Sequence, residues 1–161
     1  MLSNCCPCPC QFNIDPVNTL PEVKRVLTMT NLQFTPPPLT SVNINLLLQS
    51  HVQIHGINVS SIPGIGILVK LLFNTADIPL AINLLNSAGI TNIQTNEVAV
   101  VQFRHEPTTQ QLINFIICLS SKGLIPSFTY LGFNNRYAIS PLNISVADTI
   151  TLIGECIKLD V

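Results

Sequence analysis

The sequence predicts a β-rich α+β fold, a single body domain with two helices carried behind an extended N-terminal arm. Three observations predict it. A chain of 161 residues with 47 % hydrophobic content is long enough to bury one proper core. Beyond residue 21 most apolar stretches are short, rich in β-branched residues or alternating with period two, while two segments switch to helical spacing. The first twenty residues differ in kind, because Cys5, Cys6, Cys8 and Cys10 are interleaved with Pro7 and Pro9 and followed by Pro16. The domain plan is an arm over 1–20 and a body over 21–161.

In the arm each proline fixes its own φ and pushes the preceding residue toward β or polyproline II. At ~3.1 Å per residue in that conformation, twenty residues reach about 60 Å. The body then reads as follows. Val23 to Phe34 is a strand, stopped by the stiff connector Thr35-Pro-Pro-Pro-Leu39. Val42-Asn-Ile-Asn-Leu46 and His51-Val-Gln-Ile-His55 alternate as half-buried strands, and Ile65 to Phe73 is a buried one. Asp77 as N-cap, Pro79 in the first turn and Gly89 as C′ residue bracket a helix over 78–88. Glu97 to Arg104 is a buried strand. Pro107-Thr108-Thr109 opens a second helix whose stripe is Leu112, Phe115, Ile116 and Leu119 and which ends at Gly123. Phe128 to Phe133 and Arg136 to Ser140 flank Asn134-Asn135, a pair that tolerates positive φ and so suggests a hairpin. Thr149 to Val161 is a last strand, and no internal repeat stands out.

Charge narrows the function classes. With 7 Lys+Arg and 8 Asp+Glu, only 9 % of the chain is charged, against about 25 % in ordinary soluble domains. The net charge of -1 and the lack of any basic run remove the attraction to phosphate that nucleic-acid and anionic-membrane binding need. The apolar runs fall short of the ~18 to 20 residues that span a bilayer. The start Met-Leu-Ser-Asn-Cys-Cys lacks both a positive and an apolar region, so no secretory signal is expected. A mean hydropathy of +0.47 on such a weakly charged chain implies a surface that repels its own copies poorly.

Enzyme chemistry is not expected, and neither is a cofactor. No nucleophile elbow, zinc-protease motif, C-x-x-C or phosphate loop occurs, and the few carboxylates are scattered. His51 and His55, four apart on a strand, would stand about 13 Å apart, too far for one ion. Arg104, His105 and Glu106 read as a polar turn between a strand and the second helix.

The six cysteines divide into the four of the arm and the body pair Cys118 and Cys156. Adjacent arm cysteines bond each other only in a strained ring, so their partners are expected elsewhere. Cys118 falls off the apolar stripe of its helix, and Cys156 shares a strand face with Lys158 and Asp160, so both are predicted on polar faces. The six thiols are therefore candidates for intermolecular disulfides, and a head-to-tail contact of this kind makes filaments of identical subunits. An alternative is a thiolate metal-binding protein, since Cys6-Pro-Cys8-Pro-Cys10 offers three thiolates suited to Cu(I) or Zn.

Two resemblances add to this. The arm motif Asn4-Cys5-Cys6, with Gly154-Glu-Cys156-Ile-Lys-Leu near the end of the chain, resembles the endospore appendage fibre subunits of spore-forming bacteria. That resemblance implies disulfide-linked fibres on the spore surface, arm roles for Cys5 and Cys6, an acceptor role for Cys156 and, as an alternative fold, an all-β jelly-roll sandwich. It makes the leading expectation a structural, extracellular or spore-surface homopolymer. The order β-α-β-β-α-β over residues 64 to 131, with Ile78-Pro-Leu-Ala81 through Ala88-Gly-Ile-Thr-Asn-Ile93, is similar to ACT-type amino-acid-sensing domains. In those a Gly usually follows the Pro near the ligand, where Leu80 stands here. It implies the alternative function, a small-molecule-binding regulatory module.

Overall fold

The structure, a computed structural model, describes residues 20–36, 47 and 50–157. Its elements are β1 (Val23–Phe34), β2 (Gly56–Ile62), β3 (Gly66–Phe73), α1 (Ile78–Ser87) entered through a 3-10 turn (Thr75–Asp77), β4 (Ile93–Phe103), α2 (Thr109–Ser121), β5 (Pro126–Leu131), β6 (Arg136–Pro141) and α3 (Val146–Glu155). The strands form one six-stranded antiparallel sheet in the order β2-β3-β1-β4-β6-β5. The α+β class holds, and the jelly-roll alternative falls because one sheet with helices on a face replaces two stacked sheets.

Strand alternation explains the layering. On one face Leu32, Phe34, Leu71 and Phe73 receive Ala81 and Leu85 of α1, while Ala99, Val101, Phe103, Tyr137 and Ile139 receive Phe115 and Leu119 of α2 and Ile153 of α3. Phe115 stands edge-on to both Phe103 and Tyr137, the geometry aromatic rings prefer. The opposite face carries Met29, Leu72, Val98, Val100, Tyr130 and Ala138 and has no helix over it among the described residues. It is buried because the sheet curls until its edges meet. The His55 carbonyl accepts from Phe133 N–H at 2.8 Å, and Lys70 on β3 reaches across to the Phe128 ring on β5. Two glycines permit that closure: a Cβ on Gly132 would lie 2.6 Å from the His55 carbonyl oxygen, and one on Gly56 would lie 3.0 Å from Gly132 Cα.

Several sequence expectations need correction. Residues 149–155 belong to α3 and not to a strand: Ser145 caps the helix by accepting from Asp148 N–H, a signal the alternating C-terminal apolar residues had masked. Tertiary packing of Ile153 onto β4 and β6 decides the matter. The histidine segment forms no strand: His51 adopts φ 62, pairing begins only at Gly56, and His55 is buried. Ile116 is exposed instead of belonging to the buried stripe, and β4 starts at Ile93. The hairpin around Asn134 (φ 55) and Asn135 (φ 56) forms as the sequence indicates, as do α1, with Gly89 at φ 87, and α2 with its Thr108–Gln111 capping box. The expected arm, the expected strand over 42–46 and residues 158–161 lie outside the described residues.

The structure also holds a repeat that the sequence conceals. β1, the β2–β3 hairpin and α1 follow the same path as β4, the β5–β6 hairpin and α3, and the two sets pair at the centre through β1 and β4, where Met29 faces Val98. Leu32-Gln33-Phe34 corresponds to Val101-Gln102-Phe103, and the buried Ala81 and Leu85 of α1 correspond to Thr149 and Ile153 of α3. Identity survives only at pairs such as Gln33/Gln102 and Phe34/Phe103, and Ala81 gives way to Thr149, which is too little for a repeat to show in the letters.

Candidate functional site

A cavity of about 320 Å³ opens where the start of α1 overhangs the centre of the sheet, lined by Thr30, Thr75, Ile78, Pro79, Thr95, Asn96 and Glu97. That volume is at the small end of the roughly 300 to 1,000 Å³ typical of ligand clefts. The local sequence creates it. Pro79 fits the first turn of a helix because its missing N–H is one that a helix start leaves unbonded anyway. Neither Asn74, before the 3-10 turn, nor Asp77, before α1, makes a side-chain cap bond; the N–H groups of Asp77 and Ile78 donate to the Asn74 and Thr75 carbonyls of the turn, so this helical start is held by backbone alone and carries no side-chain cap. Across from it, Thr30 pairs with Glu97 in the β1–β4 ladder, and the Thr30 hydroxyl sits 2.9 Å from that of Thr75.

The lining therefore combines hydroxyl groups able to donate or accept, a helix start that favours negative charge, an apolar wall from Ile78 and Pro79, and the Glu97 carboxylate, the one charged side chain among the lining residues. Asn96 points to the other face, where it accepts from Asn31 and donates to Ser140. Such a lining can hold a small molecule carrying both a hydrogen-bonding anion and an amine.

The second half of the molecule supplies an internal control. By the repeat, Thr95, Glu97 and Thr30 correspond to Val26, Thr28 and Ala99, and Ile78-Pro79 to Val146-Ala147. There α3 packs directly on β4 and β1, with Val26, Ala99, Val146 and Ile150 joined in one apolar cluster. Its helix start is closed by the Ser145 cap. The same architectural position is filled in one half, and open and polar in the other.

The cysteines behave otherwise than expected. Cys118 and Cys156 are bonded to each other within the chain, tying the last turn of α2 to the end of α3. Neither faces solvent as predicted: Cys156 is fully buried and Cys118 packs against the same core, because Cys156 caps a helix instead of alternating along a strand. Neither is left as a free acceptor for an arm cysteine. Cys5, Cys6, Cys8 and Cys10, with the metal reading that rests on three of them, lie outside the described residues. The polar turn at Arg104, His105 and Glu106 is exposed between β4 and α2 as expected. Sequence reasoning missed Thr30, Thr95 and Glu97. The available signal was the polar run Gln94-Thr95-Asn96-Glu97 leading into the apolar Val98 to Val101, together with the ACT-like helix start.

No family model and no curated protein sequence matches the chain. Solved structures do resemble it. The regulatory subunit of aspartate kinase from Thermus thermophilus, in its ligand-free form, superimposes with a TM-score of 0.58 at 10 % identity, over 84 % of this chain and 99 % of that one. A protein from Bacteroides thetaiotaomicron gives 0.59 at 16 % identity, over 81 % and 88 %. Escherichia coli aspartokinase III, in complex with lysine and aspartate, gives 0.52 at 10 % identity, over 84 % of this chain but 32 % of its own. At these identities the likeness is one of fold. It overturns the appendage resemblance and the filament, fibre and spore-surface readings drawn from it. The arm and end motifs were too short to carry a fold, and the fold that the chain shares is that of structures such as the aspartate kinase regulatory subunit.

Proposed function

We propose that this chain is an ACT-like regulatory module that binds a small molecule, of amino-acid size, in the cavity at the start of α1, and that it is a binding unit with no catalytic step of its own. One observation carries the reading: at matched positions of the internal repeat the second half is packed shut with Val26 and Ala99 where the first presents Thr95 and Thr30 around open space, and Glu97 stands where the second half has Thr28. Leaving a cavity forfeits packing contacts, and lining it with groups that could have been Val or Ala gives that loss a use. The fold likeness to aspartate kinase regulatory subunits supports the same reading.

In the bound state the ligand's carboxylate meets the positive end of α1 and the threonine hydroxyls, and its ammonium faces Glu97. Because those groups belong to α1 on one side and to β1 and β4 on the other, the ligand couples the helix to the sheet and stabilises whichever relative placement it fits, which is what a regulatory module needs. The test is calorimetry of the whole chain against a panel of amino acids, with Thr95→Phe as the blocking variant. Thr95 is exposed at the cavity, so the bulkier ring fills the space without disturbing the core. At least one amino acid should bind and lose tenfold or more in the variant at unchanged Tm; a panel that binds nothing sinks the proposal.

A further inference from the structure

A second polar cluster sits away from the α1 cavity, at one end of the concave face. The ladder sets Arg25 on β1 opposite Gln102 on β4, and Gln102 opposite Arg136 on β6, so the three form a row. Gln102 is buried with both ends engaged: its Oε1 accepts from Arg25 Nε at 2.7 Å and its Nε2 donates to the Asn134 carbonyl at 3.2 Å. The Arg25 guanidinium, otherwise exposed, is thereby held over the row. Arg136 is only 6 % exposed; its Nη1 donates to the Phe133 carbonyl while its Nε has no partner. His55, 7 % exposed at the closure seam, likewise has an unpartnered Nε2.

These groups are close enough for their charges to act on one another. Burial, and after it Arg25, disfavours the charged form of Arg136; burial, and after it Arg136 and Arg25, holds His55 below the ordinary imidazole range, with Asp77 opposing this at His55 alone. Among the described residues no carboxylate pairs with Arg136. A guanidinium does not deprotonate in a protein, so a buried one beside a second, with an orphaned N–H, is costly until something negative arrives.

We propose that Arg25, Arg136 and His55 form a binding site for a phosphate-class oxyanion, either free phosphate or the phosphate group of a small metabolite. The planar forks of two guanidiniums match a tetrahedral oxyanion and bind it through paired charge-assisted hydrogen bonds. Gln102 presets Arg25 for this, the exposed Arg25 side chain marks the approach, and neutral His55 supplies one N–H more. The arrangement stores unfavourable like-charge proximity in the empty state and releases it on binding, a pattern characteristic of functional sites.

The site is tested by thermal shift and calorimetry on the full chain, with inorganic phosphate and glycerol phosphate compared against chloride at matched ionic strength. Phosphate should raise the wild-type Tm beyond chloride, and a preference for glycerol phosphate would identify a metabolite phosphate over the free ion. Arg25→Gln, at an exposed position, should fold normally and lose at least tenfold in affinity. Arg136→Met should be more thermostable than wild type in chloride and unresponsive to phosphate, whereas a residue with only a structural role would lower the Tm when replaced. Equal responses to phosphate and chloride, an Arg25→Gln that binds like wild type, or an Arg136→Met that melts earlier in chloride would each overturn the proposal. Thr95→Phe should leave the phosphate response intact, which separates this site from the α1 cavity.

Discussion

The two halves of the repeat follow one path and spend their interior differently. In the second half α3 lies tight against β4 and β1, its start is capped by Ser145, and its end is bonded through Cys156 to α2, with a Lys122–Glu155 ion pair at 2.6 Å beside the staple. In the first half α1 begins without a side-chain cap and leaves a polar cavity between its first turn and the sheet. A duplicated architecture thus divides labour: one copy is closed by packing, capping and covalent linkage, and the other keeps the open position where a ligand can act. The difference teaches that Thr30 and Thr95 near α1 are not a requirement of the fold, since the fold is built at the matching places with Ala99 and Val26.

The staple offers the largest test of this contrast. The disulfide closes a separation of 38 residues, and removing such a bond typically costs roughly 2 to 4 kcal/mol. The double variant Cys118→Ala, Cys156→Ala should therefore melt several degrees lower, and hydrogen exchange should accelerate in α3 while α1 is little changed. If α1 loosens as much as α3, the halves are one cooperative unit and the division of labour is wrong.

Capping gives a smaller and sharper contrast. Ser145→Ala removes an N-cap oxygen that accepts from Asp148 N–H at 3.0 Å and should cost about 1 kcal/mol in denaturant unfolding. Asp77→Ala removes no cap bond and should cost only the weak attraction of one carboxylate for the helix start, a few tenths of a kcal/mol. Equal costs would show that the Asp77 side chain caps α1 in solution.

The smallest expected effect concerns pH. Folding lowers the His55 pKa below its ordinary value of 6.5, chiefly through burial and then through Arg136. The unfolded chain therefore takes up a proton first as pH falls. The stability tied to neutral His55 is complete above that ordinary value and is lost as pH drops from there through the folded-state pKa. Urea midpoints followed from pH 8 to 5 should decline, and His55→Asn should flatten the decline. An identical slope in the variant would place the proton uptake elsewhere.

Much of this was legible in the amino-acid order. β1, β3, α1, α2 and the β5–β6 hairpin follow from alternation, helical spacing, Pro79, Gly89 and the Asn134-Asn135 turn, all of which act within a few residues and need no partner. The segment Ile78 to Ile93 also pointed to the helix start where the cavity lies. Long-range geometry was not legible. Thr149 to Glu155 alternates well enough for a strand, and only the packing of Ile153 against β4 and β6 makes it a helix. Cys118 and Cys156 looked outward by local periodicity because the side a residue presents depends on which element lies beside it.

What the sequence by itself determined is the class: a weakly charged β-rich α+β body with two of its helices and its central strands, because hydrophobic period and turn chemistry are local properties. What only the tertiary structure decided is pairing. The bonding of Cys118 to Cys156, the pairing of Thr30 with Glu97, the placing of Arg25 and Arg136 on either side of Gln102, and the correspondence of the two halves all depend on elements far apart in the chain meeting on one sheet. That choice is made by burying apolar area across the whole molecule, a quantity no local window of residues contains.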